Sequence, residues 1–353
     1  MEKFITITGP RDGETFTAPT FLKYMRRSEP HWWSDNQRSS ECSWVFRGQK
    51  NEAWSLTPSA ARQTFNDTDT FKIIIDALRA SLEPHGSWQG YREHPIFQDI
   101  ILRYWALVLS VEKFKHLAGE LEYNTTSAQA IHYQIEQWLG GTTIHKTELQ
   151  RNIGFSKVSS SVLMGSMGTF TNVDYRTDPA VALAQHHGIP TFLLDWTTNP
   201  IVAGFFAAQG VAKSEDISGL AIWALNIGAL QRPSTRRNIN KNPAHPSSIG
   251  ILYPPKVTDK YLSSQSGILT YIDNPELRWL RNGQYPPMES IVELYTDELA
   301  EGPFLRKVIL PAEEIYKFRE LLYREGITKA HMMPTLDNVA STAMDIVSNE
   351  CLT

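Results

Sequence analysis

The chain has 353 residues, of which 34 are lysine or arginine and 38 are aspartate or glutamate, so its formal charge is −4. Apolar residues make up 41% and charged residues 20%, a composition that excludes disordered, collagen-like and disulfide-scaffold proteins. The length exceeds the roughly 250–300 residues at which a single core stops growing, so we expect two subdomains or one domain with a large insertion. The near-neutral charge argues against a general polyanion binder but leaves room for a local basic patch.

The cysteines and the apolar runs bear on the compartment. Cys42 and Cys351 form no CxxC or other metal-ligand pair, which suits a reducing environment. The N-terminal residues lack the charged-then-apolar pattern of a secretory signal. The longest uncharged apolar run, Tyr104 to Val111, is far shorter than the roughly 20 residues needed to cross a bilayer. We therefore expect a cytoplasmic protein with no membrane partner.

Hydrophobic periodicity predicts short strands separated by helices of unequal length. The predicted strands lie at 4–8, 44–46, 191–194, 220–225, 251–253, 268–272 and 305–310. The predicted helices lie at 17–27, 178–187, 201–208 and 313–324, and a further amphipathic helix runs through 97–111. Strand signals are missing from roughly 65 to 155, so we expect a helical insertion there, between parts of a mixed α/β core at 1–64 and 156–353.

The common phosphate-binding and hydrolase motifs are missing from the sequence. It contains neither GxGxxG after a strand nor GxxxxGK[ST], and it lacks HExxH and the GxSxG elbow. The adjacent pair His186-His187 cannot place both rings on one helix face, so we expect no metal site there. The usual dehydrogenase, kinase and hydrolase hypotheses therefore lack support.

The first notable segment is Trp44-Val45-Phe46-Arg47-Gly48-Gln49, followed by Arg62. An arginine at the end of an apolar strand must have its guanidinium paired, because an unpaired buried charge costs several kcal/mol. One interpretation is a structural pair between Arg47 and a carboxylate. The other is bidentate recognition of a phosphate, which the planar fork of arginine suits well. Gly48 lets a backbone or a ligand approach closely.

The second segment runs from Gln185 to Pro200 and contains His186, Asp195 and Trp196. Asp195 follows a predicted buried strand, and open α/β sheets bind ligands at the carboxyl ends of their strands. Alternatively, Asp195 caps the helix that begins near Asn199, or accepts hydrogen bonds from local amides. His186 is open to a second interpretation as well, that of a core histidine with satisfied nitrogens.

These segments together resemble the FRG domain family. Phe46-Arg47-Gly48 is similar to the motif that names the family, and the segment from Gln185 to Pro200 is similar to its most distinctive block. Gln265-Ser266-Gly267-Ile268-Leu269-Thr270 resembles a third block, although Tyr261 stands where the family usually has an arginine. The run from His331 to Asp337 resembles a fourth block. The resemblance covers roughly residues 40–340.

The resemblance implies an ADP-ribosyltransferase-like mixed sheet that uses NAD as a substrate and needs no metal. Arg47 would bind phosphate, with Phe46, Gly48, Gln49 and Trp196 as further cofactor-binding residues. His186 and Asp195 would line the nicotinamide–ribose pocket, and Gln265 would occupy the position usually held by the catalytic glutamate. An amide cannot act as a general base, so Gln265 fits hydrogen bonding of ribose better. The reaction passes through an oxocarbenium-like state, so positioning and electrostatics supply most of the catalysis.

The resemblance also implies a toxin-like effector of a bacterial anti-phage or toxin–antitoxin system, with a neutralising antitoxin as partner. The acceptor is less defined. The loop from Gln231 to Lys241 has four basic residues and no acidic one, which suits a single-stranded nucleic acid such as RNA, or else a solvated loop. Its basic residues are Arg232, Arg236, Arg237 and Lys241. Two other functions stay open: a non-catalytic nucleotide- or nucleic-acid-binding module, and an NAD glycohydrolase.

Overall fold

The computed structural model describes residues 4–33, 42–62, 69–82, 95–120, 179–209, 215–232, 249–253, 267–272, 282–299 and 304–350, together with Val211, Pro275 and Trp279. Its strands are β1 (Ile5–Ile7), β2 (Trp44–Gln49), β3 (Leu194–Thr197), β4 (Gly219–Asn226), β5 (Ile249–Leu252), β6 (Gly267–Ile272) and β7 (Leu305–Pro311). The α-helices are α1 (Ala18–Tyr24), α2 (Asp69–Leu82), α3 (Pro95–Glu120), α4 (Pro179–His186), α5 (Pro200–Gln209), α6 (Ile227–Leu230), α7 (Met288–Leu299), α8 (Ile315–Arg324), α9 (Lys329–Met332) and α10 (Leu336–Glu350).

The seven strands form one mixed sheet in the order β1-β7-β4-β2-β3-β6-β5. The edge pair β1–β7 is parallel, and the other neighbours are antiparallel. The predicted mixed α/β class is therefore confirmed. None of the described helices is both long enough and apolar enough to cross a bilayer.

Each face of the sheet carries its own hydrophobic core. Alternate residues of a strand point to opposite faces, and along β4 Ile222 joins one core while Trp223 joins the other. One core packs against α1, α5 and α8, and the other packs against α2, α3, α4 and α7. The sheet is thus covered by helices on both faces.

The bounds of two predicted strands differ from those in the structure in ways that concern site residues. β2 does not end before Arg47 but continues through Gln49, because its pairing with β4 runs to Gln49↔Ala221. β3 begins at Leu194, where the predicted strand ended, so Asp195 lies inside the strand and not after it. The Thr191 hydroxyl instead accepts a hydrogen bond from the Leu193 N–H, which fixes the residues before the strand as a turn.

The described part of the segment 65–155 consists of α2 and α3, and the predicted helix through 97–111 lies within α3. Both helices contribute buried side chains to the core on their face of the sheet, among them Ile75, Ile100 and Leu107. These helices therefore extend the hydrophobic core of the sheet. Residues 121–155 of this segment lie outside the described residues.

Candidate functional site

A cavity of about 330 Å³ opens where β2 and β3 part. The two strands are sheet neighbours but share only the register pair Phe46↔Thr197 among the described residues. Beyond that pair, no further register pair joins the described residues of the two strands. The lining residues are Phe46, Arg47, Gly48, Gln185, His186, Asp195, Trp196, Thr197, Val202, Ala203, Phe206, Gly267, Ile268, Leu269 and Met333. The volume is at the lower end of the ~300–1,000 Å³ typical of ligand pockets.

Arg47 bridges the gap between the two strands. Its Nη1 donates a hydrogen bond to the backbone oxygen of Asp195 at 2.9 Å and lies 3.7 Å from Oδ2 of the same residue. Its Nε–H is buried and has no hydrogen-bond partner among the described residues. Burial lowers the pKa of the Arg47 guanidinium, and the Asp195 carboxylate opposes that shift. Arg47 is therefore paired through Nη1 and keeps one buried donor without a partner among the described residues.

Asp195 presents its carboxylate to solvent at the rim of the cavity. Its side chain is 61% exposed, whereas that of Arg47 is 16% exposed. The alternative that Asp195 caps the following helix is wrong, because the Asn199 Oδ1 accepts the Ile201 N–H in that role. Arg47 and Asp195 thus form the ion pair of the first interpretation, and the pair lies in a cavity, as the second interpretation requires.

His186 reaches the cavity from the last residue of α4 and is only partly buried, so it is not a core histidine. Gln185 lines the cavity beside it and accepts a hydrogen bond from the Thr191 hydroxyl. Gly188 makes the turn that follows α4, with a φ of 91°, a left-handed conformation that favours glycine. This turn holds the histidine at the cavity while the chain enters β3.

The aromatic walls of the cavity differ in what they offer a ligand. Phe46 and Trp196 are buried, and the Trp196 indole N–H donates to Thr270 Oγ1 at 2.8 Å, so Trp196 supports the wall from within the core. Phe206 on α5 is 36% exposed and gives the cavity an accessible ring. Sequence reasoning missed Phe206, and the only signal for it was a second phenylalanine beside the core residue Phe205.

Gly48 and Gln49 have structural roles in this arrangement. A Cβ on Gly48 would lie 2.0 Å from the Ala203 backbone oxygen, so the glycine admits the backbone of α5. Gln49 is 4% exposed and is not among the cavity residues. Its amide accepts from Trp223 Nε1 and donates to the Ser55 backbone oxygen. The structure therefore does not bring the predicted cofactor-binding residue Gln49 to the site.

The third and fourth sequence blocks also reach the cavity. β6 is the neighbour of β3, and its first residue, Gly267, lines the cavity opposite Thr197. Gln265 lies outside the described residues. Met333, just after α9, lines the cavity as well, and the Asn338 side chain holds its backbone oxygen. Segments far apart in the sequence thus converge on one site, and sequence reasoning did not single out Gly267 or Met333 as lining residues.

The predicted nucleic-acid loop runs from Gln231 to Lys241, and its first basic residue, Arg232, is exposed just after α6. The other predicted contacts, Arg236, Arg237 and Lys241, lie outside the described residues. Within the described ranges, no cluster of three or more His, Cys, Asp or Glu side chains could hold a metal ion.

An FRG domain is found at residues 137–216. This match contains the segment from Gln185 to Pro200 and thus the cavity residues His186 and Asp195. Phe46-Arg47-Gly48 and the third and fourth blocks lie outside the matched range. The described residues Gly267 and Met333 of those two blocks line the same cavity as His186 and Asp195. No curated protein and no solved structure matches the chain.

Proposed function

We propose that this FRG-domain chain is an ADP-ribosyltransferase that binds NAD in the cavity between β2 and β3. The observation that carries the proposal is Arg47, a largely buried cation that lines the cavity and has an Nε–H without a partner among the described residues. An unpaired buried donor costs about 1–3 kcal/mol, so an arginine held in this state gains when an anionic acceptor arrives. A phosphate group of NAD is such an acceptor.

The residues around Arg47 suit the rest of such a substrate. Phe206 offers an exposed aromatic surface for a flat ring, and His186 and Gln185 supply polar groups next to it. Asp195 supplies a carboxylate at the rim. A mostly apolar wall with a few polar groups is the usual composition of a small-molecule site.

In the proposed reaction, the bond between ribose C1′ and the nicotinamide nitrogen breaks and nicotinamide leaves with the electron pair. An acceptor nucleophile bonds to C1′ and gives up its proton. Within this chain, Arg47 holds phosphate, and Asp195 stabilises the positive charge that develops on the ribose and accepts the proton. His186 orients the nicotinamide half, and Gln265 hydrogen-bonds the ribose.

We further propose a nucleic acid, RNA foremost, as the acceptor. The basic loop that starts at Arg232 would hold its phosphates, since Lys and Arg contacts to the backbone dominate such binding. A transferase of this kind would act as a toxin in a bacterial anti-phage or toxin–antitoxin system and would require a neutralising antitoxin.

A label-transfer assay tests the activity. The purified chain is incubated with NAD labelled in the adenylate half and with separate pools of RNA, DNA and lysate protein. We expect label on the RNA pool and release of nicotinamide. Free ADP-ribose without labelled macromolecules would instead identify a glycohydrolase, and NAD binding without nicotinamide release would identify a binding module. If the chain neither binds NAD nor releases nicotinamide, the proposal for this site is overturned.

Arg47→Ala is the decisive variant. It removes the phosphate contact but leaves Asp195 able to interact with water, so we expect at least a 100-fold loss of kcat/KM with a cooperative unfolding transition retained. Arg26→Ala is the matched control, because Arg26 pairs with Glu325 on the surface, and it should keep full activity. If Arg47→Ala is unfolded by circular dichroism, the purely structural role of the ion pair is favoured.

A further inference from the structure

A second arginine approaches Arg47 from the turn that follows β2. Arg62 ends a short 3-10 turn at Ser59–Ala61, and its Nε–H donates to the Thr57 backbone oxygen at 3.0 Å. Its two terminal nitrogens have neither a hydrogen bond nor an ion pair within the described part of the chain. The side chain is partly buried and is not among the residues that line the cavity.

The turn that carries Arg62 is fastened to the site. The Ala60 N–H donates to the Thr191 backbone oxygen at 3.1 Å, and the Thr191 N–H donates to Ser59 Oγ at 3.1 Å. Thr191 is the same residue whose hydroxyl holds Gln185 at the cavity wall. The turn and the wall are therefore parts of one hydrogen-bonded unit, which fixes Arg62 relative to the cavity.

A buried cation from the helical segment clamps the same turn. Arg103 on α3 is 6% exposed, and its Nη1 donates to the Ala60 backbone oxygen at 3.3 Å and contacts that of Arg62 at 3.5 Å. Its Nε pairs with Asp99 one turn earlier on the helix. Holding the backbone on this side fixes the base of the Arg62 side chain, whose two terminal nitrogens have no partner among the described residues, and this lowers the entropic cost of binding a ligand.

The charges around this turn leave a net positive balance. Burial and then the charge of Arg47 lower the pKa of Arg62, while the Asp195 carboxylate raises it, so the three groups lie within electrostatic reach of one another. Two guanidinium groups thus share one carboxylate, and that carboxylate is mostly exposed. Within the described part of the chain, one positive charge is left uncompensated, and a mobile anion can neutralise it.

We propose that Arg47 and Arg62 form a two-point clamp for a diphosphate group, with one phosphate on each arginine. This rests on the proposed function in one respect: it identifies the substrate as a molecule with a pyrophosphate bridge, the linkage within NAD, and separates it from monophosphates. Arg47 binds the phosphate inside the cavity, and Arg62 binds the neighbouring phosphate outside the cavity. Forked donors on both sides suit two adjacent tetrahedral anions.

Titration calorimetry with inorganic pyrophosphate and inorganic phosphate, at low salt and without metal ions, tests the clamp. We expect the wild-type chain to bind pyrophosphate more tightly than phosphate. Arg62→Gln should weaken pyrophosphate binding by about tenfold or more, the effect of a charge-assisted hydrogen bond, and should change phosphate binding far less. Arg47→Gln should weaken both. Arg26→Gln, at a surface ion pair, is the control and should change neither.

Arg62→Lys serves as a second variant, which keeps a long aliphatic stem in place of the arginine stem in case the shorter glutamine side chain unfolds the chain. It keeps the charge but loses the fork, so we expect an intermediate pyrophosphate affinity with a normal melting temperature. A wild-type chain without preference for pyrophosphate, or variants at Arg62 that bind it as the wild type does, would overturn the clamp. NAD turnover with a wild-type KM in Arg62→Gln would overturn it while preserving the proposed function. Weakened pyrophosphate binding in a chain without NAD turnover would support the clamp and refute the transferase.

Discussion

The two sides of β2 meet their neighbours in opposite ways. Toward β4, the register runs without interruption from Trp44↔Asn226 to Gln49↔Ala221. Toward β3, the described residues share the single pair Phe46↔Thr197, and the cavity begins where this pairing stops. One strand therefore has a closed side, where backbone groups pair with backbone groups, and an open side, where the Arg47 side chain takes the Asp195 carbonyl.

This difference separates the source of stability from the place of binding. Buried backbone groups must find partners, and the closed side supplies them through the ladder itself. On the open side the partner is a charged side chain, which a ligand can engage without breaking the sheet. The closed side thus holds β2 in position so that the open side can carry polar groups at small cost. The following four substitutions disturb the two sides unequally.

Gly48→Ala should have the largest effect because it disturbs both sides together. The new Cβ would meet the Ala203 backbone oxygen at 2.0 Å, and a backbone atom of α5 cannot move aside as a flexible side chain can. We expect a loss of about 3 kcal/mol or more in the free energy of unfolding, measured by urea denaturation. Gly119→Ala is the control. It lies in α3 with nothing within 4 Å of the added atom, so it should gain up to about 1 kcal/mol. Equal stability of the two variants would contradict this packing.

Gln49→Ala should weaken the closed side alone. It leaves the Trp223 indole N–H and the Ser55 backbone oxygen without their partner, at a cost of about 2 kcal/mol or more in unfolding free energy. Ligand affinity at temperatures where the variant is folded should stay as in the wild type. Gln231→Ala removes an exposed amide contact with Tyr253 and should change stability by less than about 0.5 kcal/mol. A Gln49 variant that is as stable as the wild type but no longer binds NAD would show that Gln49 contributes to ligand binding.

Glu289→Gln should stabilise the protein at Leu56, in the segment that follows β2 in the chain. Glu289 accepts the Leu56 N–H, and burial raises the pKa of its carboxyl, although backbone hydrogen bonds oppose the shift. A carboxyl with a raised folded-state pKa contributes stability below its unfolded pKa and loses that contribution as pH rises through the folded value. The neutral amide avoids this loss, so we expect a gain on the order of 1 kcal/mol at neutral pH.

The pH dependence of unfolding checks this assignment. Wild-type stability should contain a component that falls as pH rises from the ordinary glutamate pKa upward, and Glu289→Gln should lack it. Glu320→Gln is a control of opposite sign, because the Lys317 contact lowers the pKa of Glu320. Its contribution is present above the unfolded pKa and is lost as pH falls through the folded value. A Glu289 variant less stable than the wild type at every pH would contradict the cost of burial.

Asp195→Asn should change stability least and activity most. The exposed carboxylate lies 3.7 Å from Arg47, and exposed ion pairs contribute about 0–1 kcal/mol. The Asp195 backbone oxygen still accepts the Arg47 hydrogen bond in the variant. We therefore expect a near-normal melting temperature with loss of nicotinamide release. A destabilisation above about 3 kcal/mol would instead show that the open side is held by its ion pair.

Local patterns in the sequence predict most of the sheet but neither side of β2. The apolar run Trp44–Phe46 correctly indicates a strand. The apolar pattern ends at Arg47 and Gly48, yet the strand continues because its pairing with β4 continues. The strand limits are set by a partner far away in the chain. The short pairing between β2 and β3 likewise depends on the order of the strands in the sheet, and a single sequence does not reveal that order.

The site is predictable where chemistry is concentrated in one segment. Arg47, His186 and Asp195 stand out because polar side chains interrupt apolar runs, and all three line the cavity. Phe206 and Met333 do not stand out, since an aromatic or a methionine in an apolar helix or near a proline is ordinary. The resemblance places Gln49 among the cofactor-binding residues, whereas in the structure its amide accepts the hydrogen bond of the Trp223 indole.

The parallel pairing of β1 with β7 fixes an order of events during protein synthesis. β1 leaves the ribosome first but cannot join the sheet until β7, near the other end of the described chain, has emerged and paired with β4. The cavity depends on an even later segment, because Met333 follows β7. Such distant contacts make folding slow. A cell that makes this protein thus has the whole interval of translation before the site is complete.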